Sequence, residues 1–158
     1  MYEQRLAKAV RAQCGALNTP GVDLEAIARA NGIQILDLND GISDGASGWF
    51  RIREGRPVIL INRQRSLTHQ RFTLAHELGH FFMGHGERDR DTKKQLRKRD
   101  PVEFSANRFA AAILMPSDLV EDEIRRRTPI SEMATLFGVS EEAMGYRLQN
   151  LGYKVVVR

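Results

Sequence analysis

Two histidines, His76 and His80, stand four positions apart in Arg71-Phe-Thr-Leu-Ala-His76-Glu77-Leu-Gly-His80-Phe-Phe-Met-Gly, a stretch with helical apolar spacing. On a helix they project from one face, one turn apart, so both imidazoles can reach a single metal ion. Glu77 follows His76 by about 100° of rotation, which sets it beside such an ion rather than on it. A carboxylate there can take a proton from a water on the metal, the logic of the H-E-x-x-H pattern. Leu74, Leu78 and Phe81 form a separate apolar stripe, leaving the histidines off it as the wall of a cleft requires. Gly79 costs about 1 kcal/mol relative to alanine inside a helix, so its presence predicts that something packs closely there.

Catalytic zinc takes three protein ligands and keeps an open position. One continuation of the pattern would place glycine at 83 and histidine at 86, but these positions hold Met83 and Gly86. The alternative is a carboxylate from a later helix, and Glu103 is the best candidate. Its helix starts with Asp100 as N-cap and Pro101 as first helical residue. Val102, Ala106, Phe109 and Ile113 make the core stripe, and Ser105 and Arg108 take the outer face. Glu103 and Asn107 share a further face with Ala110, Ala111 and Leu114. A carboxylate on a mostly apolar face is costly unless paired or metal-bound. The competing explanation for Glu103 is a first-turn acid favoured by the helix dipole. Asn107, one turn on, is placed to orient a ligand or a substrate group.

The rest of the chain bounds the fold. Its 158 residues suit one domain, 1–158, and a hydrophobic fraction of 42% is that of a globular chain rather than a disordered one. No apolar run approaches the roughly 18–20 residues of a membrane span. The N-terminal MYEQRLAKAV is broken by charges and does not read as a secretory signal. The single cysteine, Cys14, excludes an internal disulfide framework and a multi-cysteine zinc site, and fits a reducing cytoplasm. Helices are expected over 3–16 and 24–30. Three short strands follow at 33–38, 48–53 and 57–62, read as an antiparallel meander. Further helices are expected near 69–84, 101–114, 117–126, 131–138 and 141–150, with a terminal strand at 154–157. Strands first and helices after give an α+β fold.

RFTLAHELGH, followed by EFSANRFAAAILMP, resembles the ImmA/IrrE family of bacterial and phage metallopeptidases. The likeness extends from the N-terminal helices through VILINRQ to the closing pair of short helices. It implies a zincin-like, gluzincin-type fold with Zn²⁺ on His76, His80 and Glu103 and with Glu77 as base. It further implies a helix-turn-helix, XRE-like transcriptional repressor as substrate, in responses to DNA damage, mobile elements or phage. Larger radiation-response members carry an extra C-terminal sensor domain, for which this length leaves no room. Sensing is then expected within the domain or from another molecule. The competing class is a non-catalytic module that binds a repressor or DNA around a structural metal site.

Several residues remain open. A donor to the developing oxyanion is required, and Tyr146, His69 and Arg71 are candidates among which the sequence does not choose. His85 lies half a turn away from His76 by helical arithmetic and is not expected on the metal. Residues 131–151 read as a helix-turn-helix, but its second helix opens with Glu141-Glu142, which would repel phosphates; a structural role against the core is expected. Cys14 reads as a small core residue, or alternatively as a regulatory thiolate on the open metal position. The net charge is +4, and +3 of it lies in Glu87–Asp100, ERDRDTKKQLRKRD. Lys93, Lys94, Arg97, Lys98 and Arg99 are thus the candidates for contact with nucleic acid, and single-stranded DNA is a candidate activator.

Overall fold

In the computed structural model, which describes residues 2–38, 45–89 and 100–155, two N-terminal helices lead into a small sheet and then into the metal-site helices. Helix α1 spans Tyr2–Gln13 and α2 Leu24–Ala30, the latter capped by Asp23, whose carboxylate accepts from the Ala26 amide at 3.0 Å. The strands are β1 (Gln34–Asp37), β2 (Gly48–Arg53), β3 (Arg56–Ile61) and the two-residue β4 (Arg88–Asp89). Five helices complete the described chain: α3 (Leu67–Met83), α4 (Pro101–Leu114), α5 (Ser117–Arg125), α6 (Ile130–Phe137) and α7 (Glu141–Asn150). None is long and apolar enough to cross a membrane.

The α+β expectation holds, but the sheet is mixed rather than an antiparallel meander. Its order is β1-β3-β2-β4, with β1 parallel to β3 and β2 antiparallel to both β3 and β4. The cause is local. Glu54 and Gly55 both have positive φ, 52° and 75°, so β2 and β3 close a two-residue hairpin. That fixes β2 on one side of β3 and leaves the other side to β1. β3 is therefore central, which explains why Val58–Ile61 is a continuous buried apolar run instead of an alternating one. β4 was not anticipated from the sequence. The expected terminal strand does not form at Lys154 and Val155, and residues 156–157 lie outside the described residues.

One core cluster joins Ile59 and Ile61 of the sheet to Leu78 of α3, Phe109 and Ile113 of α4, and Phe137 and Met144 of the closing pair. A smaller one, Leu38, Ala46, Val58 and Leu60 with Trp49, lies apart from it. Ser105 and Arg108 do not face solvent alone, as the pattern suggested. They reach Glu3 of α1, which accepts from Ser105 Oγ at 2.9 Å and from Arg108 Nη2 at 2.9 Å. Cys14 is exposed rather than packed in the core, its thiol donating to the Arg11 carbonyl at 3.3 Å. Arg11 is the buried residue there. Its guanidinium donates to the carbonyls of Ala16 (2.9 Å), Ile113 (2.6 Å), Thr19 and Pro20 (3.2 Å), tying α1 and the following turn to α4.

Burial raises the Glu3 carboxyl, but hydrogen bonds from its own backbone, Arg108 and Ser105 outweigh this and hold it below the usual 4.5. A depressed folded-state value means stability that is complete above the unfolded value and lost as pH falls through the folded one. Arg108 is half exposed and solvent screens its share. Glu3→Gln is therefore expected to cost about 1 kcal/mol at pH 7. In urea titrations across pH the gap between the two proteins should close below about pH 4.

Candidate metal centre

Helix α3 carries two of the three candidate ligands. Ser66 caps it, accepting from the His69 amide at 3.3 Å, so it begins earlier than the periodicity suggested. From Thr73 to His80 every residue is buried, His76 at 1% exposure and Glu77 and His80 at 0%. This middle stretch of α3 packs on β2 and β3 and on α4. Two glycines permit this. A Cβ on Gly79 would lie 3.0 Å from Phe109 Cδ1 and 3.4 Å from the Ala106 backbone, which is the close packing its presence predicted. A Cβ on Gly48 in β2 would lie 2.5 Å from Thr73 Cγ2 and 3.7 Å from Glu77 Cγ.

Helix α4 brings the third. Asp100 accepts from the Val102 amide at 2.9 Å and Pro101 opens the helix, as expected. Glu103 then meets both histidines: Oε2 lies 2.7 Å from His76 Nε2 and Oε1 3.2 Å from His80 Nε2. The two Nε2 atoms are 3.1 Å apart. Ligands at tetrahedral positions about 2.0–2.1 Å from zinc would be separated by about 3.3 Å. His76, His80 and Glu103 are the group that could hold a metal ion among the described residues.

The far sides of the rings agree with this. Asn107 Oδ1, an acceptor, lies 2.7 Å from His76 Nδ1, so that nitrogen carries the proton and a neutral His76 presents a bare Nε2 inward. His80 Nδ1 lies 2.9 Å from His85 Nδ1, and a proton donated from the first to the second leaves His80 Nε2 bare as well. Burial raises the Glu103 carboxyl; protons on the facing Nε2 atoms, through hydrogen bonds and charge, pull it well below the usual carboxylate range, and a cation held by the neutral rings would supply that charge in their place. Three electron-pair donors thus converge on one point, which a cation relieves. The donor set fits a divalent metal.

His85, not expected on the metal, is not among the convergent ligands, and what the sequence did not show is its contact with His80. The helical arithmetic behind that reading does not apply past Gly84, whose left-handed conformation (φ 69°) caps α3 and turns the chain back, with the His85 amide donating to the His80 carbonyl at 3.0 Å. Glycine directly after the last periodic residue was the available signal.

A cleft of about 820 Å³ reaches towards the centre at Asn107, the partner of His76, and is lined also by Phe104 on α4, His69 and Phe72 on α3, and Tyr146 and Ala143 on α7, but not by His76, Glu77, His80 or Glu103 themselves. Two of the three candidate oxyanion donors, His69 and Tyr146, therefore border it. Arg71 does not: it donates to the Gly138 carbonyl at 3.1 Å and the Val22 carbonyl at 3.3 Å, bracing α2 and the α6–α7 turn. Gly138 (φ 67°) ends α6 and Ser140 caps α7, accepting from the Ala143 amide at 3.0 Å, so two short helices meet at a tight turn. Beyond supporting the core, α7 forms a wall of the cleft. Cys14 is not among the convergent ligands. Lys93, Lys94, Arg97, Lys98 and Arg99 lie outside the described residues.

Residues 28–149 match Peptidase_M78, the IrrE N-terminal-like domain, and the chain belongs to this peptidase family. It is 31% identical over 145 residues to the radiation response metalloprotease IrrE of Deinococcus deserti, a match covering 77% of this chain and 48% of that protein. With IrrE of Deinococcus radiodurans it shares 32% identity over 139 residues, covering 82% of this chain and 40% of the relative. With the metallopeptidase ImmA of Bacillus subtilis the figures are 26% over 113 residues, 68% and 65%. The chain thus spans about half or less of the IrrE proteins it matches. A Mycobacterium tuberculosis transcriptional regulator shares the fold, with a TM-score of 0.62 and 19% identity over 93% of this chain and 46% of its own.

Asn107→Ala removes the acceptor that fixes the His76 ring and is expected to weaken metal affinity about 10–100-fold, measured by competition with a chelator. Chelation of the wild type should lower its thermal midpoint, because the three buried donors then face one another without a cation.

Proposed function

We propose that the chain is a zinc-dependent endopeptidase whose substrate is a helix-turn-helix transcriptional repressor. The observation that carries this reading is the convergence of two imidazole nitrogens and a carboxylate, with Glu77 buried next to His76 on the same helix. His76 and His80 through Nε2 and Glu103 through its carboxylate would hold the metal, which when bound polarises a peptide carbonyl and makes water acidic enough to be used near neutral pH. Glu77 takes the proton of the attacking water and delivers it to the leaving amine, serving as base and then acid. Asn107 and His85 keep the two rings turned so that their Nε2 atoms face the centre. His69 or Tyr146, on the rim of the cleft, donates to the oxyanion.

The repressor as substrate, and DNA damage, mobile elements or phage as the occasion, follow from the family resemblance. The names of the two Deinococcus relatives, radiation response metalloproteases, support a link to damage. Single-stranded DNA as activator rests on the basic residues between the ligand helices, Lys93, Lys94, Arg97, Lys98 and Arg99.

The test is cleavage of the helix-turn-helix protein encoded beside this gene, with metal content measured on the same samples. Near one zinc per chain is expected in wild type and in Glu77→Gln alike. Cleavage should fall about 10²–10⁴-fold in the variant. Zinc without cleavage, with or without single-stranded DNA, would favour a binding module instead.

A further inference from the structure

Three helices turn one face each into the cleft that reaches Asn107. Phe104, Asn107 and Ala111 stand three and four positions apart on α4, and Ala143, Tyr146 and Asn150 do the same on α7, so each set forms a single stripe. Phe72 joins them from α3. Phe104 is 44% exposed and Tyr146 59%, and Phe72 is only partly buried. Aromatic rings from three helices, left open to solvent around one concavity, make the kind of apolar patch that a partner covers.

The space between the rings comes from small residues. Ala111 and Ala143 pack against the core, and Met115 and Val139, both buried, line the same cleft. Its volume of about 820 Å³ falls in the range of binding pockets, about 300–1,000 Å³. Several side chains of an extended segment fit, and a folded domain does not.

The charged groups of the cleft do not favour an anion. Arg108 is paired with Glu3, and Arg147 is 7% exposed with its Nε turned onto the Met115 carbonyl. Glu142 adds an exposed acid. Gln4, Thr68 and Asn150 contribute uncharged polar groups, which suit the N–H and C=O groups of a polypeptide. Asn107 links the cleft to the centre through His76 Nδ1, 2.7 Å from its Oδ1. A chain lying in the cleft can therefore run on towards the metal ligands, while the cleft itself holds a neighbouring stretch rather than the bond to be cut.

We propose that this cleft binds an uncharged, apolar segment of the polypeptide substrate to one side of the scissile bond. A large aliphatic or aromatic side chain is seated among Phe72, Phe104 and Tyr146, against Ala111 and Ala143. The inference rests on the peptidase reading and adds its selectivity: Phe104 and Ala143 decide which sequences are held.

The test uses the metal-loaded Glu77→Gln chain, which keeps the cleft and leaves the probe intact. The probe is a dye-labelled dodecapeptide of glycine, serine and glutamine with Leu-Phe-Leu at its centre, followed by fluorescence anisotropy. Saturable binding of one peptide per chain is expected, weakened about tenfold or more when the central residues are all serine. Ala143→Arg, which fills the cleft from α7, and Phe104→Ser, which removes an exposed ring from α4, should each weaken it about tenfold with metal content unchanged. The two lie on different helices, so either decides the matter if the other fails to fold. With Glu77 restored and the repressor encoded beside the gene as substrate, both should raise KM about tenfold and change kcat little. Absence of saturable binding, equal binding of the all-serine peptide, or binding that both variants retain in full overturns the proposal. Displacement of the peptide by single-stranded DNA overturns the assignment of ligand class. Selective peptide binding without cleavage of any repressor supports the cleft assignment and overturns the peptidase reading; cleavage with a KM that neither variant alters does the reverse.

Discussion

The ligands of the candidate metal centre come from two helices, with Glu103 23 positions after His80, and their meeting depends on how closely α3 and α4 approach. Gly79 on α3 sits against Phe109 and the Ala106 backbone of α4 with no room for a Cβ to spare. Ala106 is small for the same reason, while Phe109 fills the space beside the glycine. Separating the helices by the thickness of a methyl group would carry Glu103 away from His76 and His80. Gly48 plays the matching part above α3, letting β2 lie against Thr73 and beside Glu77. The about 1 kcal/mol that glycine costs inside a helix is thus offset by a packing arrangement that a larger residue would block.

How much of this was legible in the sequence follows from which interactions are local. The caps at Asp23 and Asp100, the helix of His76 and His80, and the closing helical pair are set by neighbours a few positions away, and they were read correctly. Glu103 was legible because a carboxylate on an apolar face needs an explanation. The sheet was misread because β1 is only four residues long, and nothing in so short a strand encodes whether it runs parallel to β3. The contact of His85 with His80 was missed because a helical wheel was carried past a glycine that ends the helix. The burial of Thr73–His80 on α3 comes from the sheet and α4 together, which no single segment reveals.

The closing helices are more than a prop for the core. Arg71 joins the metal-bearing helix to the turn between α6 and α7 through the Gly138 carbonyl, and to the approach of α2 through Val22. Tyr146 and Ala143 meanwhile border the cleft. The element that shapes one side of the candidate substrate path is therefore fastened to the helix that carries the candidate base. Whatever shifts the pair also shifts the rim of the cleft relative to Glu77.

Arg11, Arg71 and Arg147 share a habit: each spans elements distant in sequence, and each donates to main-chain carbonyls instead of to carboxylates. A carbonyl has no proton to gain or lose, and a guanidinium keeps its own over the whole working range. These ties are consequently indifferent to acidity. The framework around the metal helix is fastened by bonds that do not titrate, whereas the α1–α4 contact through Glu3 does. Acid would loosen the N-terminal helix at its first turn while its far end, anchored by Arg11, stayed in place.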